Sequence, residues 1–518
     1  MLAITSVRQR APTVPRDLHN GRVDPSPTVE HRAPGSRPST SYGFVLLAVT
    51  LAISDFTIAD AVIPSLVRDL GLSVADLGLA FTAYFAAAAA FMVLFGRLGD
   101  VLGRRFVLLV STALFIAGSV LSGIAWDLPS FFAGRVLSGL ALAATLPNGL
   151  GVVNTLFAQR GPQRERAFGL WAAAIGLAAV IGPLVGGAAA ATAISWRWAF
   201  FGSALLGVLA AVGIAATLAE NPRKRLADID VWGALLLAAS AGSLALAVDL
   251  GGGGYDDQVR TAAGLFGVTI AAAAAFAAVQ RRRIRRRREP IAPPHLFRYR
   301  SFRLATFSSA FMSIGDTGFQ LALPLVLGFV LGAGQWGVGV VLACYGAGAV
   351  LSGPAAAALA RRLDDRTVAR YALAALPLLL LGLIALLSSK TPLAAVGAVL
   401  VAYGVAWGVA YARLVNISYY EVPEQDSAVA GGVQSALRLL AGALGAGILT
   451  AVFSGVAGRS ALDAAVPSHS RLTPSADTSA LATALSTGAQ ATIAVAAAIT
   501  AVALIIALRL PEQPALRS

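Results

Sequence analysis

Fourteen stretches of about 20 predominantly apolar residues constrain this chain more than any other feature. They lie near 43–66, 76–96, 106–125, 129–156, 167–189, 198–219, 231–250, 261–280, 302–330, 336–360, 371–388, 393–416, 429–455 and 485–509. A bilayer core is about 30 Å thick, and a helix crosses it in roughly 20 residues. Inside lipid no water satisfies backbone N–H and C=O groups, so a span must close its own hydrogen bonds. The stretches show no alternation of period two, which excludes an outer-membrane barrel. The predicted class is an all-α polytopic membrane protein with fourteen transmembrane helices. A charged fraction of 13% and a mean hydropathy of +0.74 exclude an ordinary soluble enzyme and a mainly disordered chain. The single cysteine, Cys344, excludes a disulfide scaffold or a cysteine zinc cluster, and four histidines leave little room for a metal site.

The formal net charge is +14. On a soluble protein that would suggest nucleic acid; here the placement of the charge decides. In the predicted outer loops the basic residues are Arg68, Arg197, Arg260, Lys390, Arg459 and Arg471, and Arg135 and Arg438 lie within spans. Every other Lys and Arg falls in the alternate set of loops and tails. The positive-inside rule then places both termini in the cytoplasm. The run Arg281–Arg288, basic except for Ile284, reads as an anchor at anionic headgroups, with no nucleic-acid partner. Residues 1–42 read as a disordered cytoplasmic tail rather than a cleavable signal, and 456–483 as the longest outer loop.

The most informative motif joins the second and third spans: Gly96-Arg97-Leu98-Gly99-Asp100-Val101-Leu102-Gly103-Arg104-Arg105. Glycines permit the close backbone approach that a tight loop needs. The stretch resembles the loop signature G-x-L-a-D-r-x-G-r-r of the major facilitator superfamily, with Val101 where a basic residue is usual. In the fifth span, Gly182-Pro183-Leu184-Val185-Gly186-Gly187 is similar to the superfamily's antiporter signature, with Ala178 at its first glycine position. Resemblance implies that Gly96, Asp100, Gly103, Arg104, Arg105, Gly182, Pro183, Gly186 and Gly187 act in gating. The inner loop would latch the two halves.

Four weaker motifs point the same way. Arg135-Val136-Leu137-Ser138-Gly139 is similar to R-x-x-Q-G, with Ser138 replacing Gln. Asp55-Phe56-Thr57-Ile58-Ala59-Asp60-Ala61-Val62-Ile63-Pro64 resembles the first-span motif of fourteen-spanner members, with Asp60 in place of Asn. Ser195-Trp196-Arg197-Trp198-Ala199-Phe200 looks like the pattern at the start of the sixth span, and Arg438–Gly445 matches its thirteenth-span counterpart loosely. Together they resemble the fourteen-spanner drug–proton antiporter branch. That resemblance implies a six-helix bundle at 43–219, cytoplasmic loops and two inserted helices at 220–301, a second six-helix bundle at 302–510 and a short cytoplasmic tail at 511–518. Leu359–Arg366 reads as a degenerate second copy of the loop signature.

Counting along the helices places Asp55 about 18 Å, Asp60 about 26 Å, Arg135 about 22 Å and Asp316 about 21 Å from the inner edge. Charges at such depth are costly and point to function. Arg135 is therefore expected to pair with at least one of the two first-span carboxylates. Asp55, Asp60, Arg135 and Asp316 are the candidate proton-coupling residues. Gly315 and Gly318 predict an irregular helix around Asp316, and Arg413 is expected to snorkel toward the inner face. Phe81, Tyr84, Trp171, Phe319, Tyr345, Tyr403 and Trp407 are candidates for an aromatic substrate pocket.

The expected function is proton-coupled export of hydrophobic or cationic compounds by a monomer in a bacterial cytoplasmic membrane. A proton gradient would drive it, with no cofactor and no metal. The absence of a G-x-x-x-x-G-K-[ST] sequence argues against ATP as the energy source. The alternative is the same fold serving an endogenous metabolite or lipid, or a nutrient importer. A membrane enzyme would need clustered metal-binding acids; the doublets Asp256-Asp257 and Asp364-Asp365 lack that spacing.

Overall fold

A computed structural model describes residues 38–72, 74–157, 162–192, 195–220, 230–251, 256–286, 288, 290–291, 293–387, 391–423, 426–457 and 477–512. Residues 1–37, 458–476 and 513–518, with Arg287, Lys390, Arg459 and Arg471 among those left out, lie outside them, as do the side chains of Asp256 and Asp257. Among the described residues the protein is helical, with fourteen helices long and apolar enough to cross a bilayer.

The first bundle comprises α1 (Pro38–Ala61) with its short continuation α2 (Ile63–Leu70), α3 (Val74–Leu102), α4 (Arg104–Ile124), α5 (Leu128–Leu156), α6 (Pro162–Ala191) and α7 (Arg197–Thr217). Two inserted helices follow, α8 (Val231–Gly251) and α9 (Asp256–Arg285). The second bundle comprises α10 (Arg300–Leu325), α11 (Gln335–Ala360), α12 (Asp365–Ala385), α13 (Leu393–Ser418), α14 (Ser427–Ala457) and α15 (Asp477–Ala507). The face at which α1 begins is called near, and the opposite one far.

The first span is one stretch in the sequence and two helices in the structure. Its break falls at Val62, and Pro64, which has no N–H to donate, opens α2. Conversely, no irregularity appears at Asp316: α10 runs unbroken through Gly315 and Gly318. Those glycines instead let α10 approach its neighbours. A Cβ on Gly315 would stand 2.8 Å from the Ala496 carbonyl oxygen, and one on Gly318 would meet the Leu449 side chain. The irregular turn of α10 comes later, as a π turn over Val326–Val330 just after Pro324.

The bundles meet along two seams, α6 against α11 and α3 against α14. Both are built from small residues, as expected where lipid supplies no hydrophobic drive between helices. Toward the far face, a Cβ on Gly187 would lie 2.8 Å from Gly339 Cα, and one on Gly78 would clash with Thr450. The inserted pair lies between the halves in sequence but at the side in space. Helix α8 covers the α3–α14 seam, and α9 packs on α8.

The basic residues at helix ends do local structural work. Gly103 adopts φ +100°, a region that side chains disfavour, and this allows the turn between α3 and α4. At the far face the Trp196 indole donates to Asp69 Oδ2 at 2.8 Å, and Arg197 donates to the carbonyls of Gly123 and Ala125 at the end of α4. Orphan helix-end carbonyls are thereby satisfied.

Candidate functional site

Asp55 on α1 and Arg135 on α5 form an ion pair, with Arg135 Nη1 donating to Asp55 Oδ2 at 2.7 Å. The residues are 0% and 1% exposed. Nη2 donates to Ser122 Oγ at 2.7 Å, and Ser119 Oγ approaches Asp55 Oδ1 at 3.4 Å, so α4 braces the pair. The guanidinium lies 5.3 Å from the Phe131 ring and 5.1 Å from the Phe200 ring. A buried ion pair is tolerated only when its remaining groups are also satisfied, and this shell largely does so. The pair is interior to the first bundle.

Asp60, five residues on, faces elsewhere. It lines a cavity between the bundles together with Thr57 and Pro183 from the first bundle and Phe319, Gln320 and Tyr345 from the second. Asp60 is 3% exposed, and its Oδ1 accepts no hydrogen bond from the protein. Asp316 on α10 lies across the seam, within electrostatic reach of Asp60, and is 6% exposed. The Tyr345 hydroxyl donates toward its carboxylate, 3.3 Å from each oxygen. Arg438 on α14 lies within electrostatic reach of Asp316 and 5.2 Å from the Tyr411 ring.

The aromatic candidates divide into three places. Phe319, Tyr345, Tyr403 and Trp407 form one connected wall beside Asp316, with Phe319 and Tyr403 edge to face at 4.9 Å and Tyr345 and Tyr403 at 6.0 Å. Phe81 and Tyr84 belong to a first-bundle cluster around Phe56 and Phe85, and the Tyr84 hydroxyl donates to the Ala52 carbonyl. Trp171 packs within the first bundle, against Gly149. Gln320, Tyr411, Phe56 and Phe85 are additions that the sequence reading did not include. Gln320 and Tyr411 fall at i+4 from Asp316 and Trp407, a spacing that puts them on the same helix face and was a usable signal.

The gating candidates also separate. Asp100 pairs with Arg104 at 3.0 Å, and Arg104 donates to the Gly151 carbonyl and to Thr155 Oγ1. Arg105 donates to the Ala215 carbonyl at 2.6 Å. Gly96 lies against Pro147. These contacts stay inside the first bundle, so in this structure they do not latch it to the second. Arg97 reaches further and donates to the Pro290 carbonyl at 2.8 Å, in the segment leading to α10. The fifth-span signature does sit at a seam. Gly182 and Gly186 admit Thr57 and Ile58 of α1, while Pro183 and Gly187 face Gly339 of α11.

The second loop copy is built differently from the first. Asp364 caps α12 by accepting from the Thr367 N–H. Arg413 reaches toward the near face, where it donates to Asp365 Oδ1 at 2.7 Å at the start of α12, and Tyr420 and Asn416 donate to the other oxygen. Burial and the carboxylate beside it push the Tyr420 phenol upward.

Two six-helix bundles joined across small-residue seams, with buried charges where they meet, define a polytopic membrane transporter. The chain belongs to the Major Facilitator Superfamily, whose family model matches residues 45–446. It is 32% identical over 295 residues to the MFS-type transporter EfpA of Mycobacterium tuberculosis, covering 56% of this chain and 53% of EfpA. It is 28% identical over 298 residues to the multidrug transporter protein MdtP of Bacillus subtilis, covering 58% and 54%. Against these two relatives the chain spans about half their length. A longer match, 29% over 427 residues and 83% of the relative, is to the puromycin resistance protein pur8 of Streptomyces alboniger. The fold is similar to a bacterial homologue of the human lysosomal transporter Spinster, with a TM-score of 0.65 at 16% identity over 92% of this chain and 97% of that one.

Proposed function

We propose that this protein is a proton-coupled exporter of hydrophobic or cationic compounds, with the near face and both termini in the cytoplasm of a bacterial cell. The observation that carries the reading is the unequal treatment of its three membrane-embedded carboxylates. Asp55 has its charge matched by Arg135 at 2.7 Å. Asp60 faces the inter-bundle cavity with one oxygen unpartnered, opposite Asp316 on the other bundle. An uncompensated carboxylate in such a place carries a penalty of several kcal/mol. A proton or a cation relieves it, and a site that both can relieve in turn is what exchange requires. Asp60 and Asp316 then carry the coupling proton, and Asp55 with Arg135 fixes the frame of α1 against α5. The names of the multidrug and puromycin-resistance relatives support the export direction.

The test is substrate-driven proton flux in inverted vesicles with an imposed pH gradient. Asp60→Asn and Asp316→Asn are expected to abolish coupled flux. Unchanged coupling in these two and in Asp55→Asn rejects proton exchange through these groups. Uptake instead of extrusion rejects the direction. A susceptibility panel on deletion and overexpression strains that shows no shift for any drug moves the cargo to an endogenous compound.

A further inference from the structure

Helix α10 carries a polar stripe for which the candidate proton-coupling residues do not account. Thr306, Ser309 and Ser313 lead up to Asp316 at steps of three, four and three residues. At 3.6 residues per turn the four side chains fall within about 80° of one another, and they climb from about 9 Å to about 24 Å above the start of the helix. On the same side Phe302 packs with Val433 of α14, and a Cβ on Gly442 of α14 would meet Ser313 Oγ at 3.5 Å. Thr306 and Ser309 therefore stand level with the turns of α14 in between, which carry Gln434 and Arg438. Gln434 in turn reaches α13, where Ser418 Oγ donates to its Oε1 at 3.2 Å. Ser418 is the last residue of α13, at the near face.

Three buried groups along this stripe have no partner in the protein. Thr306 Oγ1, Ser309 Oγ and Gln434 Nε2 make no hydrogen bond to it, and their residues are 1%, 0% and 3% exposed. Arg438 Nε is unpartnered as well. A hydroxyl inside a helix ordinarily closes on the carbonyl one turn back. Thr492 and Thr500 of α15 do so, and Ser308 of α10 donates across to the Ala503 carbonyl at 2.8 Å. Leaving a buried polar group unsatisfied is penalised, and where the protein does not supply the partner, ordered water does.

We infer that Thr306, Ser309, Ser313 and Gln434 hold a file of water that runs through the second bundle from the Ser418–Gln434 contact to Asp316, and that protons reach Asp316 from the near face along it. Successive members of the stripe rise by at most about 6 Å, close to the two hydrogen bonds of about 2.8 Å that one bridging water spans. A hydroxyl donates and accepts at once, so it can take a proton on its lone pair and release its own to the next water. One proton enters from near-face water, one is delivered to the carboxylate, and nothing is oxidised. The titratable and charged groups that face Asp316 are Asp60 of α1, Tyr345 of α11, Tyr403 of α13 and Arg438 of α14. The guanidinium penalises a proton that halts beside it, so the charge comes to rest on the carboxylate. The inference rests on proton exchange through Asp316 as proposed above and adds its route, which is separate from the cavity beside Asp60.

The experiment uses the full chain in lipid nanodiscs and has two readouts. A high-resolution cryo-electron microscopy map is expected to show ordered water within hydrogen-bond distance of Thr306 Oγ1, Ser309 Oγ and Gln434 Nε2. Time-resolved infrared spectroscopy after a pH jump follows protonation of the Asp316 carboxyl, whose band is the one lost in Asp316→Asn. Thr306→Val combined with Ser309→Ala is expected to slow that protonation at least about tenfold. Thr306→Ser combined with Ser309→Thr keeps both hydroxyls and should restore a rate near wild type. A size-exclusion profile confirms that each variant is folded, and the wild-type map decides alone if one is not. Dry density around the three groups overturns the inference. So does an unchanged rate in the hydroxyl-free variant, which would leave proton exchange intact and route it through the inter-bundle space. Absence of any Asp316 band in wild type overturns the role of Asp316 in proton exchange and this route with it.

Discussion

Gly187 on α6 and Gly339 on α11 meet so closely that a Cβ on the first would stand 2.8 Å from the Cα of the second. The contact is backbone on backbone, so no side chain can swing aside. Gly339 would in turn place a Cβ 2.4 Å from the Pro183 carbonyl oxygen. The fifth-span glycine-proline motif therefore marks where one bundle seats on the other. Overpacking of this kind costs about 1–3 kcal/mol. Gly187→Val is expected to slow transport about tenfold or more at unchanged expression, since each 1.4 kcal/mol of barrier is a factor of ten. Gly169→Ala on the same helix, where a Cβ meets nothing within 4 Å, is the control and should transport normally. Equal activity of the two variants in a vesicle assay would show that the seam does not need this close contact.

The Asp55–Arg135 pair makes a separable prediction about stability. Removing one member of a buried pair leaves the other unmatched, at a cost of about 3–5 kcal/mol. Arg135→Met and Asp55→Asn should each lower the midpoint of heat unfolding in detergent, and the double variant should recover part of the loss. Strict additivity of the two single effects would mean that the residues do not interact as described, since groups in contact are expected to couple.

The division between Asp55 and Asp60 shows what the sequence made legible and what it did not. Depth along a helix follows from residue count alone, so the level of Arg135 against the first-span acids could be read in advance. Which acid Arg135 meets depends on helix rotation, and helix-to-helix angles are set by packing that the sequence does not spell. The aromatics show the same limit. Phe319, Tyr345 and Tyr403 come together from three different helices, whereas Trp171 is turned into its own bundle. The fourteen spans needed no such information, because hydropathy over about 20 residues is a one-dimensional property. The glycines beside Asp316 misled for a related reason. Glycine weakens a helix in water, but among membrane helices it is also the residue that permits close approach.

Two carboxylates outside the spans give a pH dependence. Asp127 accepts from the Ser130 N–H in a reciprocal capping box at the start of α5, and Asp364 accepts from the Thr367 N–H at the start of α12. Hydrogen bonds from the Ser130 and Thr367 side chains, joined by those from the N–H groups, hold both carboxyls below the ordinary value of 3.8. A carboxyl depressed in the folded state stabilises it above the unfolded value, and that contribution is lost as pH falls through the folded one. Heat stability should therefore decline as the medium is taken below about pH 4. Asparagine also caps helices but does not titrate. Asp127→Asn combined with Asp364→Asn should keep stability at neutral pH and flatten part of the acid decline. An unaltered decline would assign it entirely to other acids.

The inserted helices are tied to the loop between α3 and α4 by a polar chain at the near face. Asp230, at the start of α8, accepts from the Gly233 N–H at 2.9 Å and from Gln280 Nε2 at 2.6 Å, and Arg283 lies 3.5 Å away. The Gln280 side-chain oxygen accepts the Ile291 N–H at 2.9 Å, and the neighbouring Pro290 carbonyl accepts from Arg97 of the loop signature at 2.8 Å. Ile291 also packs with Leu94 of α3 and Ala234 of α8, so the segment before α10 is held on both polar and apolar sides. Gln280 is buried and serves two partners at once. Gln280→Leu leaves a carboxylate oxygen and a backbone N–H without it, at a cost of about 1–3 kcal/mol for each unsatisfied group. The expected result is faster proteolysis within residues 286–298 and a lower unfolding midpoint, with the Asp55–Arg135 coupling unchanged because that pair is buried in the interior of the first bundle, among α1, α4 and α5. Arg97→Gln should loosen the same segment while sparing the α8–α9 contact. A protease pattern identical to wild type in both variants would show that the inserted pair holds to the bundles through α3 and α14 alone.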